Sequence, residues 1–361
     1  MENKIKLFDP IIGVEEKKVI SDILESRFWA SGAGTGNVAK FEQEFNKYVG
    51  SKGCIAVNSG TAALHLALSI PNVMGNEVIV PSLSFVATAH AAVYNGAKPV
   101  FVDVDPDTLC IDPESIRKAI TNKTKVVLPV HFAGMSANLS EISQICEESK
   151  CNLIEDAAHA AGATYKKKKI GSHGLAVCFS YHPVKNLAMP TGGAVTINSS
   201  KAAHLKKDLM SKRWCGISNR KDWKYDVVDL GWNYYMNEFS AAIGRIQLMK
   251  LDQLNKKRRN ITKKYFENIQ VDRKMPYSDE CSYHFYWILV KNRERFMKKL
   301  RDKGIETGIH YNPIHKMSFY NVGRSLPNTE KVAKSIVSLP THPNLTDNDI
   351  AKIITLVNRY S

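Results

Sequence analysis

Glu77-Val-Ile-Val-Pro81, a helical stretch from Ala87 to Tyr94, and Pro99-Val-Phe-Val-Asp103 follow one another closely along the chain. The first and third segments are short and rich in β-branched residues, which favours strands, and the middle segment has the length of two helical turns. A strand, a helix and a second strand joined by short loops predict a βαβ unit, in which the two strands run parallel.

The same alternation continues from about residue 55 to residue 200. Further strands are predicted at Lys125-Val-Val-Leu-Pro-Val130, Asn152-Leu-Ile-Glu155, Ala176-Val-Cys-Phe-Ser180 and Gly193-Ala-Val-Thr-Ile197, and further helices at Ala62 to Leu68, Pro113 to Ile120 and Leu139 to Glu148. The pattern predicts an α/β fold with a large, mostly parallel sheet covered by helices on both faces. In such sheets the reactive side chains gather where the strands end.

The pattern changes after about residue 238. A long helix is predicted from Glu238 to Arg259, a strand from Tyr283 to Val290, and helices from Arg293 to Lys303 and from Asp347 to Arg359. We interpret this part as a smaller α+β domain. The predicted division is a large domain over residues 1–245 and a small C-terminal domain over residues 246–361.

Charge and cysteine content exclude several functional classes. The chain of 361 residues carries 50 Lys and Arg against 35 Asp and Glu, a formal charge of +15. The two densest basic runs, Lys166 to Lys169 and Lys256 to Arg259, contain no aromatic residue, so we interpret them as solvated turns or helix faces and expect no nucleic-acid binding.

Seven cysteines without CxxC or CxxH spacing indicate reduced thiols, no metal site and a cytoplasmic protein. No stretch has the roughly 20 apolar residues of a membrane span.

Asn58-Ser-Gly-Thr-Ala-Ala-Leu-His-Leu-Ala-Leu68 places small polar residues before a helix. Ser59 can cap that helix, while Gly60 and Thr61 leave backbone N–H groups at the positive end of its dipole, a suitable place for a phosphate. A simple helix cap without a ligand explains the same residues.

Two further strand ends carry charged side chains. In Ile154-Glu-Asp-Ala-Ala-His159, Asp156 ends a buried strand, where a carboxylate needs a cation such as a protonated pyridine nitrogen. The alternative is that Asp156 caps a following helix.

In Phe179-Ser-Tyr-His-Pro-Val-Lys-Asn186, partial burial of Lys185 would favour the neutral amine that forms a Schiff base, and Ser180 could bind phosphate. The alternative is an ordinary surface lysine. A phosphate site, an acid and a lysine in this order favour one shared active site.

With these motifs the sequence resembles the DegT/DnrJ/EryC1/StrS family of pyridoxal phosphate (PLP)-dependent nucleotide-sugar aminotransferases. The resemblance covers nearly the whole chain. It includes Trp29-Ala-Ser-Gly32 with Phe41-Glu42, Asn58-Ser-Gly-Thr61, Pro81-Ser-Leu-Ser-Phe-Val-Ala-Thr88, Glu155-Asp-Ala-Ala-His159, Phe179-Ser-Tyr-His-Pro-Val-Lys-Asn186, Gly231-Trp-Asn-Tyr-Tyr-Met-Asn-Glu238 and Ile309-His-Tyr-Asn-Pro-Ile-His315. It implies PLP-dependent transferase fold type I, as in aspartate aminotransferase.

The resemblance also implies a role for each matching residue. Lys185 would form the aldimine with PLP and then move the proton, and Asp156 would pair with the pyridine nitrogen. Phe85 would stack on the ring, and His159 would lie near the ring hydroxyl. The phosphate would be bound by Gly60, Thr61 and Ser180, and by Asn233 of the partner subunit in a homodimer with shared active sites. Trp29, His310 and Tyr311 match substrate-side positions, and for His310 a purely structural role is an equal alternative.

The implied reaction is a ping-pong transfer from L-glutamate to a keto group, expected at C4, of a nucleotide-linked keto-deoxy sugar. The alternatives are a 3-keto acceptor, a nucleotide-free sugar or cyclitol ketone, and a catalytically silent regulator that binds PLP or nucleic acid. Lys185 argues against the sugar dehydratases of the family, which have histidine at that position. The chain departs from the family at Ala188-Met-Pro-Thr-Gly-Gly193 and at Tyr235, where arginine is usual, which leaves the identity of the sugar and the subunit contacts open.

Overall fold

The computed structural model describes residues 4–321 and 323–361. The helices are α1 (Val14–Ser26), α2 (Gly36–Val49), α3 (Gly60–Leu68), α4 (Ala87–Tyr94), α5 (Pro113–Ala119), α6 (Leu139–Glu148), α7 (Ala202–Arg213), α8 (Glu238–Asn268), α9 (Arg293–Asp302), α10 (Pro327–Ser335) and α11 (Asp347–Tyr360). The strands are β1 (Gly53–Val57), β2 (Glu77–Pro81), β3 (Lys98–Val102), β4 (Thr124–Val127), β5 (Asn152–Asp156), β6 (Thr164–Tyr165), β7 (Lys168–Lys169), β8 (Ala176–Ser180), β9 (Gly193–Ile197), β10 (Ile217–Lys221), β11 (Lys224–Val227), β12 (Arg273–Lys274), β13 (Tyr286–Leu289) and β14 (Ile336–Leu339).

Seven strands form the main sheet in the order β1-β9-β8-β5-β4-β2-β3. The five strands from β8 to β3 are parallel, whereas β9 runs antiparallel to both of its neighbours, β8 and β1. The predicted α/β fold with a mostly parallel sheet is therefore confirmed. The prediction omitted β1, the edge strand that pairs with β9.

Both faces of this sheet are buried, which explains the unbroken apolar runs of its strands. Along β2, Val78 and Val80 pack under α3 and α4, while Ile79 points to the opposite face, where α2, α5, α6 and α8 lie. The same alternation places Cys178 in the apolar core, as predicted. Strand side chains alternate between faces, so a strand covered on both sides is apolar along most of its length.

Several predicted boundaries shift for local reasons. The helix predicted from Ala62 begins at Gly60, because the Ser59 side chain accepts a hydrogen bond from the Ala62 amide and thereby caps it. α8 extends nine residues beyond the predicted Arg259, to Asn268, since its basic residues continue the helical period. The strand predicted from Tyr283 to Val290 is shorter. Besides β1, the elements that were not predicted are α1, α2, α7, α10, β6, β7, β10, β11, β12 and β14.

The two basic runs differ from each other. Lys166 and Lys167 form the turn between β6 and β7, as expected for a solvated turn, with φ of 49° and 67°. In the second run, the expectation of a solvated face is wrong for Arg258, which is buried and points its Nη1 at the Thr341 carbonyl oxygen, 3.4 Å away. Four consecutive helical residues cover more than a full turn, so one of them must face the core.

A second, three-stranded antiparallel sheet is formed by β12, β13 and β14, all of which follow residue 246. We propose that this sheet with α9, α10 and α11 makes up the small domain, and that α8 runs through the proposed boundary at residues 245 and 246. None of the helices in the described ranges is both long and apolar enough to cross a membrane.

Candidate active site

A cavity of about 380 Å³ lies where β2, β5 and β8 end and α3 begins. Its walls include eight of the residues predicted from the sequence. They are Gly60, Thr61, Phe85, Asp156, His159, Ser180, Lys185 and Tyr311. A larger groove of about 700 Å³ lies between α1, α2 and α8, but none of these predicted residues lines it.

The start of α3 forms one end of the cavity. Within the described chain, the amides of Gly60 and Thr61 donate no hydrogen bond, because amides in the first turn of a helix have no carbonyl partner within it. A Cβ atom on residue 60 would lie 2.7 Å from the Ser180 Cβ, so only glycine fits there. The free amides, the helix dipole and the Ser180 hydroxyl suit a phosphate dianion.

Asp156 is buried at the end of β5. Its Oδ2 accepts a hydrogen bond from Thr88 Oγ1 at 2.8 Å, and its Oδ1 accepts one from the Ala158 amide at 3.1 Å. Burial raises the pKa of this carboxyl group, although these two hydrogen bonds and the charge of Lys185 oppose the rise. No helix follows directly, so the alternative of a helix cap is wrong. The buried carboxylate fits a cationic ring nitrogen, which would offset the cost of its burial.

Lys185 extends from the turn after β8 into the same cavity. Its Nζ lies 3.4 Å from Nε2 of His284. Burial lowers the pKa of the amine to about 8, while the charge of Asp156 acts in the opposite direction. Lys185 is therefore not an ordinary surface lysine, and a useful fraction of its amine is neutral near pH 8.

Aromatic residues complete the walls. Nε2 of His159 lies 3.0 Å from the Tyr311 hydroxyl, and burial holds the pKa of His159 well below its usual range. Nδ1 of His159 has no hydrogen-bond partner among the described residues. The Phe85 side chain is 57% exposed, with its ring centre 6.2 Å from that of Tyr311. One face of Phe85 is thus available to a flat ligand.

Three predicted residues do not line this cavity. Asn233 is exposed, and its carbonyl oxygen accepts a hydrogen bond from Asn58. Trp29 is largely exposed and contacts Phe239. His310 lies behind Tyr311, where its ring stacks on Phe285 at 4.4 Å and its Nδ1 lies 2.8 Å from Ser338 Oγ.

Comparisons with known proteins agree with this geometry. A family model, the DegT/DnrJ/EryC1/StrS aminotransferase family, matches residues 10–358. The chain belongs to this family. An uncharacterized protein of Methanocaldococcus jannaschii is 36% identical over 99% of this chain and 98% of its own length.

Two solved structures are similar over nearly their whole length. Spr1654 of Streptococcus pneumoniae, provisionally described as a sugar aminotransferase, is 27% identical; its PMP form covers 99% of this chain and 98% of its own with a TM-score of 0.94, and its PLP form has a TM-score of 0.92. Helicobacter pylori PseC, an aminotransferase involved in the biosynthesis of pseudoaminic acid, is 27% identical, covers 99% of each chain and has a TM-score of 0.93.

The protein is thus an aminotransferase of this PLP-dependent sugar aminotransferase family, with fold type I and PLP as its cofactor. The predicted family, fold and cofactor are confirmed. The residues present fit PLP in three places: the free amides at the start of α3, the buried carboxylate of Asp156 and the Lys185 amine.

Two residues at the aminotransferase site were given no role from the sequence. Thr88 lies within the quoted Pro81 to Thr88 motif, but its bond to Asp156 joins α4 to β5, residues that are 68 positions apart. His284 contacts Lys185 across 99 positions. No local pattern reports contacts at such separations.

Proposed function

We propose that this aminotransferase moves the amino group of L-glutamate to the keto group, at C4, of a nucleotide-linked keto-deoxy sugar. The transfer is ping-pong, so both substrates use one cavity in turn. The observation that carries the proposal is the convergence of Lys185, Asp156 and the free amides of Gly60 and Thr61 in that cavity.

Bound PLP supplies an electron sink for the carbon that loses or gains the amino group. Lys185 would hold the cofactor through Nζ and, when free, move the proton at that carbon. An amine with a pKa of about 8 suits this work, because general bases act best when their pKa lies near the working pH.

The other residues would bind and orient. Asp156 would keep the ring nitrogen protonated, and Gly60, Thr61 and Ser180 would bind the phosphate. Phe85 would cover one face of the ring and exclude water from it. His159, which lines the cavity, would contact the ring hydroxyl.

The acceptor is proposed from the family and from the relatives described as sugar aminotransferases. Tyr311 faces the cavity and would contact the sugar directly, whereas the His310 ring packs against Tyr311 outside the cavity. Trp29, which lies outside the cavity, would meet a more distant part of the acceptor. The excess of positive charge suits the diphosphate of a nucleotide.

We further propose a homodimer with shared active sites, acting in the cytoplasm. Asn233 of the partner subunit would reach the phosphate, which agrees with the exposure of this side chain outside its own cavity. Close to it in sequence, the hairpin of β10 and β11 and the residues after it expose several large apolar side chains. These are Trp223, Tyr225, Val227, Val228 and Leu230. A second copy of the chain would cover them.

The test of the reaction uses the visible spectrum of the purified PLP enzyme. L-glutamate converts the enzyme to its amine-carrying form, the amino acid is removed, and keto sugars are added one at a time. Return of the original spectrum with a nucleotide-linked 4-keto sugar is the expected result. Return only with a 3-keto sugar, or with an acceptor that lacks the nucleotide, would replace the proposed acceptor. A protein that shows no change with glutamate would be a silent regulator.

The shared site is tested by mixing Lys185→Ala with Asn233→Ala, at a PLP concentration at which each variant alone shows little activity. In a mixed dimer one site holds an intact Lys185 and an intact Asn233 from different subunits, so roughly a quarter of the sites should work after random exchange. No recovered activity in a mixture that does exchange subunits would contradict a shared site.

A further inference from the structure

His284 has no part in the proposed function, although it touches the central lysine. It precedes β13 in the C-terminal third of the chain, and only 1% of its surface is exposed. Its Nε2 is the atom that lies 3.4 Å from Lys185 Nζ. The lysine of the large sheet is thus in contact with a residue that leads into the small sheet.

Two backbone hydrogen bonds and two neighbouring rings hold His284 in place. Its backbone amide donates to the Ala133 carbonyl oxygen at 2.9 Å, and its own carbonyl oxygen accepts from Thr341 Oγ1 at 3.3 Å. Phe8 stacks on one face at 5.0 Å with 17° between the rings, and the His159 ring lies 4.7 Å away. The ring can therefore neither swing nor tilt without disturbing its neighbours.

The charged and titratable groups that face His284 are Lys185, His159, His310 and Arg258. Burial, followed by the positive charge of Lys185, holds the pKa of His284 well below its usual range, so the ring is neutral. A neutral imidazole has one nitrogen lone pair free to accept a hydrogen bond. Nε2, which faces the lysine, is the acceptor in the tautomer that carries its proton on Nδ1, an atom without a partner among the described residues.

We propose that His284 is a positioning residue, whose Nε2 accepts a hydrogen bond from the free Lys185 amine and keeps that amine inside the cavity. This proposal rests on the function proposed above for Lys185. A lysine side chain has four rotatable bonds, and an unheld amine would spread over many rotamers. The contact confines Nζ to the space near Asp156 and His159, where the proton is moved. The titratable groups that face Lys185 are Asp156, His159, His182, His284 and His310.

The test compares His284→Gln with His284→Asn and His284→Phe. A glutamine amide can reach the position of Nε2, whereas asparagine is too short and phenylalanine keeps the stacking but has no acceptor. The first readout uses the cofactor-free enzyme. Lys185 is acylated over a range of pH, and the modified peptide is quantified by mass spectrometry. The second readout is the rate of the half-reaction of the PLP enzyme with L-glutamate.

An ammonium group that loses its acceptor gives up its proton more readily. The pH midpoint of Lys185 acylation should therefore fall by about one unit in the Asn and Phe variants. The Gln variant should stay within about 0.3 units of the parent. The limiting rate with glutamate should fall on the order of tenfold in the Asn and Phe variants with KM changed less than about twofold, and glutamine should restore most of it.

The control is His342→Gln, another buried histidine, whose Nε2 lies 3.0 Å from the Lys6 carbonyl oxygen. It should leave both readouts unchanged. Equal behaviour of the Gln and Asn variants would overturn the proposal and leave His284 as packing only, even if the Phe variant fails to fold. If the acylation midpoints shift as expected but the parent enzyme does not react with glutamate, the proposed function fails while the contact stands.

Discussion

Two connections of this aminotransferase carry lysines: the turn after β8 and the hairpin of β6 and β7. They differ in the burial of the lysine and in the groups that its amine contacts. The turn after β8 presents Lys185 to a cavity, where the amine faces His284 and the carboxylate of Asp156 from a distance. The hairpin of β6 and β7 carries Lys169, whose Nζ lies 2.8 Å from both Asp252 Oδ1 and the Tyr48 hydroxyl. Lys166 of the same hairpin reaches Ser140 Oγ at 2.6 Å.

The difference shows what turns a lysine into a nucleophile. At Lys169 the ammonium group contacts a carboxylate, a hydroxyl and the face of the Tyr48 ring. At Lys185 burial removes water and no carboxylate contacts the amine directly. The pKa of the amine is therefore lowered, which favours its neutral form. Lys185 differs from Lys169 because it lies beside the strand ends of the main sheet, and not because of the residues of its turn.

The largest effect is expected for Lys185→Ala. The variant should fold and lose transamination, to below about 0.1% of the parent rate, because the amine that holds the cofactor and moves the proton is gone. Steady-state turnover and the visible spectrum measure this. Lys169→Ala, the matched change in the hairpin of β6 and β7, should keep full activity. Substantial turnover by Lys185→Ala would contradict the proposal that this lysine holds the cofactor and moves the proton.

Asp156→Asn should slow the glutamate half-reaction about 100- to 1000-fold, since an amide cannot stabilise a cationic ring nitrogen. Rapid mixing with L-glutamate gives the rate. The neighbouring acid, Glu155, points to the other face of the sheet and bonds His131 at 2.9 Å. Glu155→Gln should therefore change the rate less than about threefold. Similar losses in both variants would show that general electrostatics, not a specific pair, sets the rate.

Gly60→Ala should weaken PLP binding on the order of tenfold, because the new Cβ would lie 2.7 Å from the Ser180 Cβ and close the phosphate site. Fluorescence titration of the cofactor-free enzyme measures the Kd. In the control Gly53→Ala, the new Cβ meets Ile197 at an ordinary 3.8 Å, so the affinity should be unchanged. Unaltered affinity in Gly60→Ala would place the phosphate elsewhere.

Thr88→Val should cost about 1–2 kcal/mol in the activation free energy, or roughly five- to thirtyfold in rate, since the carboxylate of Asp156 loses one of its two hydrogen bonds. Thr88→Ser keeps the hydroxyl and should recover most of the rate. Stopped-flow kinetics with glutamate separates the two. Equal rates for valine and serine would mean that shape alone matters at this position.

The smallest effect concerns stability of the cofactor-free enzyme. The pKa of Lys185 is about 8 when folded and 10.5 otherwise, so between these values the unfolded chain binds more protons and stability rises with pH. Lys185→Met should be more stable than the parent below pH 8, on the order of 1 kcal/mol because the group is only half-buried, and the margin should shrink towards pH 10. Denaturant unfolding at several pH values tests this sign.

Local sequence was enough for much of the fold. Alternating β-branched runs and helices gave the α/β class, and the bounds of β2, α4, α6, β8 and β9 agree with the prediction. The missed elements include β10 and β11, which are largely polar and exposed, and also β1, an apolar strand of the same length as the predicted β2, β8 and β9. The buried Arg258 was misread because a run of basic residues looks the same whether or not one of them turns inward.

The sequence by itself determined that a lysine, an acid and a phosphate-binding helix start occur in the order Gly60, Asp156, Lys185, each at the edge of a secondary-structure element. Residues next to a strand end or a helix start are marked by local patterns, so they can be read from one chain. Only the tertiary structure decided that these edges share one cavity, that Thr88 lines it, that His284 contacts Lys185, and that His310 lies behind Tyr311. Those contacts join residues far apart in the chain, and their energy depends on burial, which no local pattern encodes.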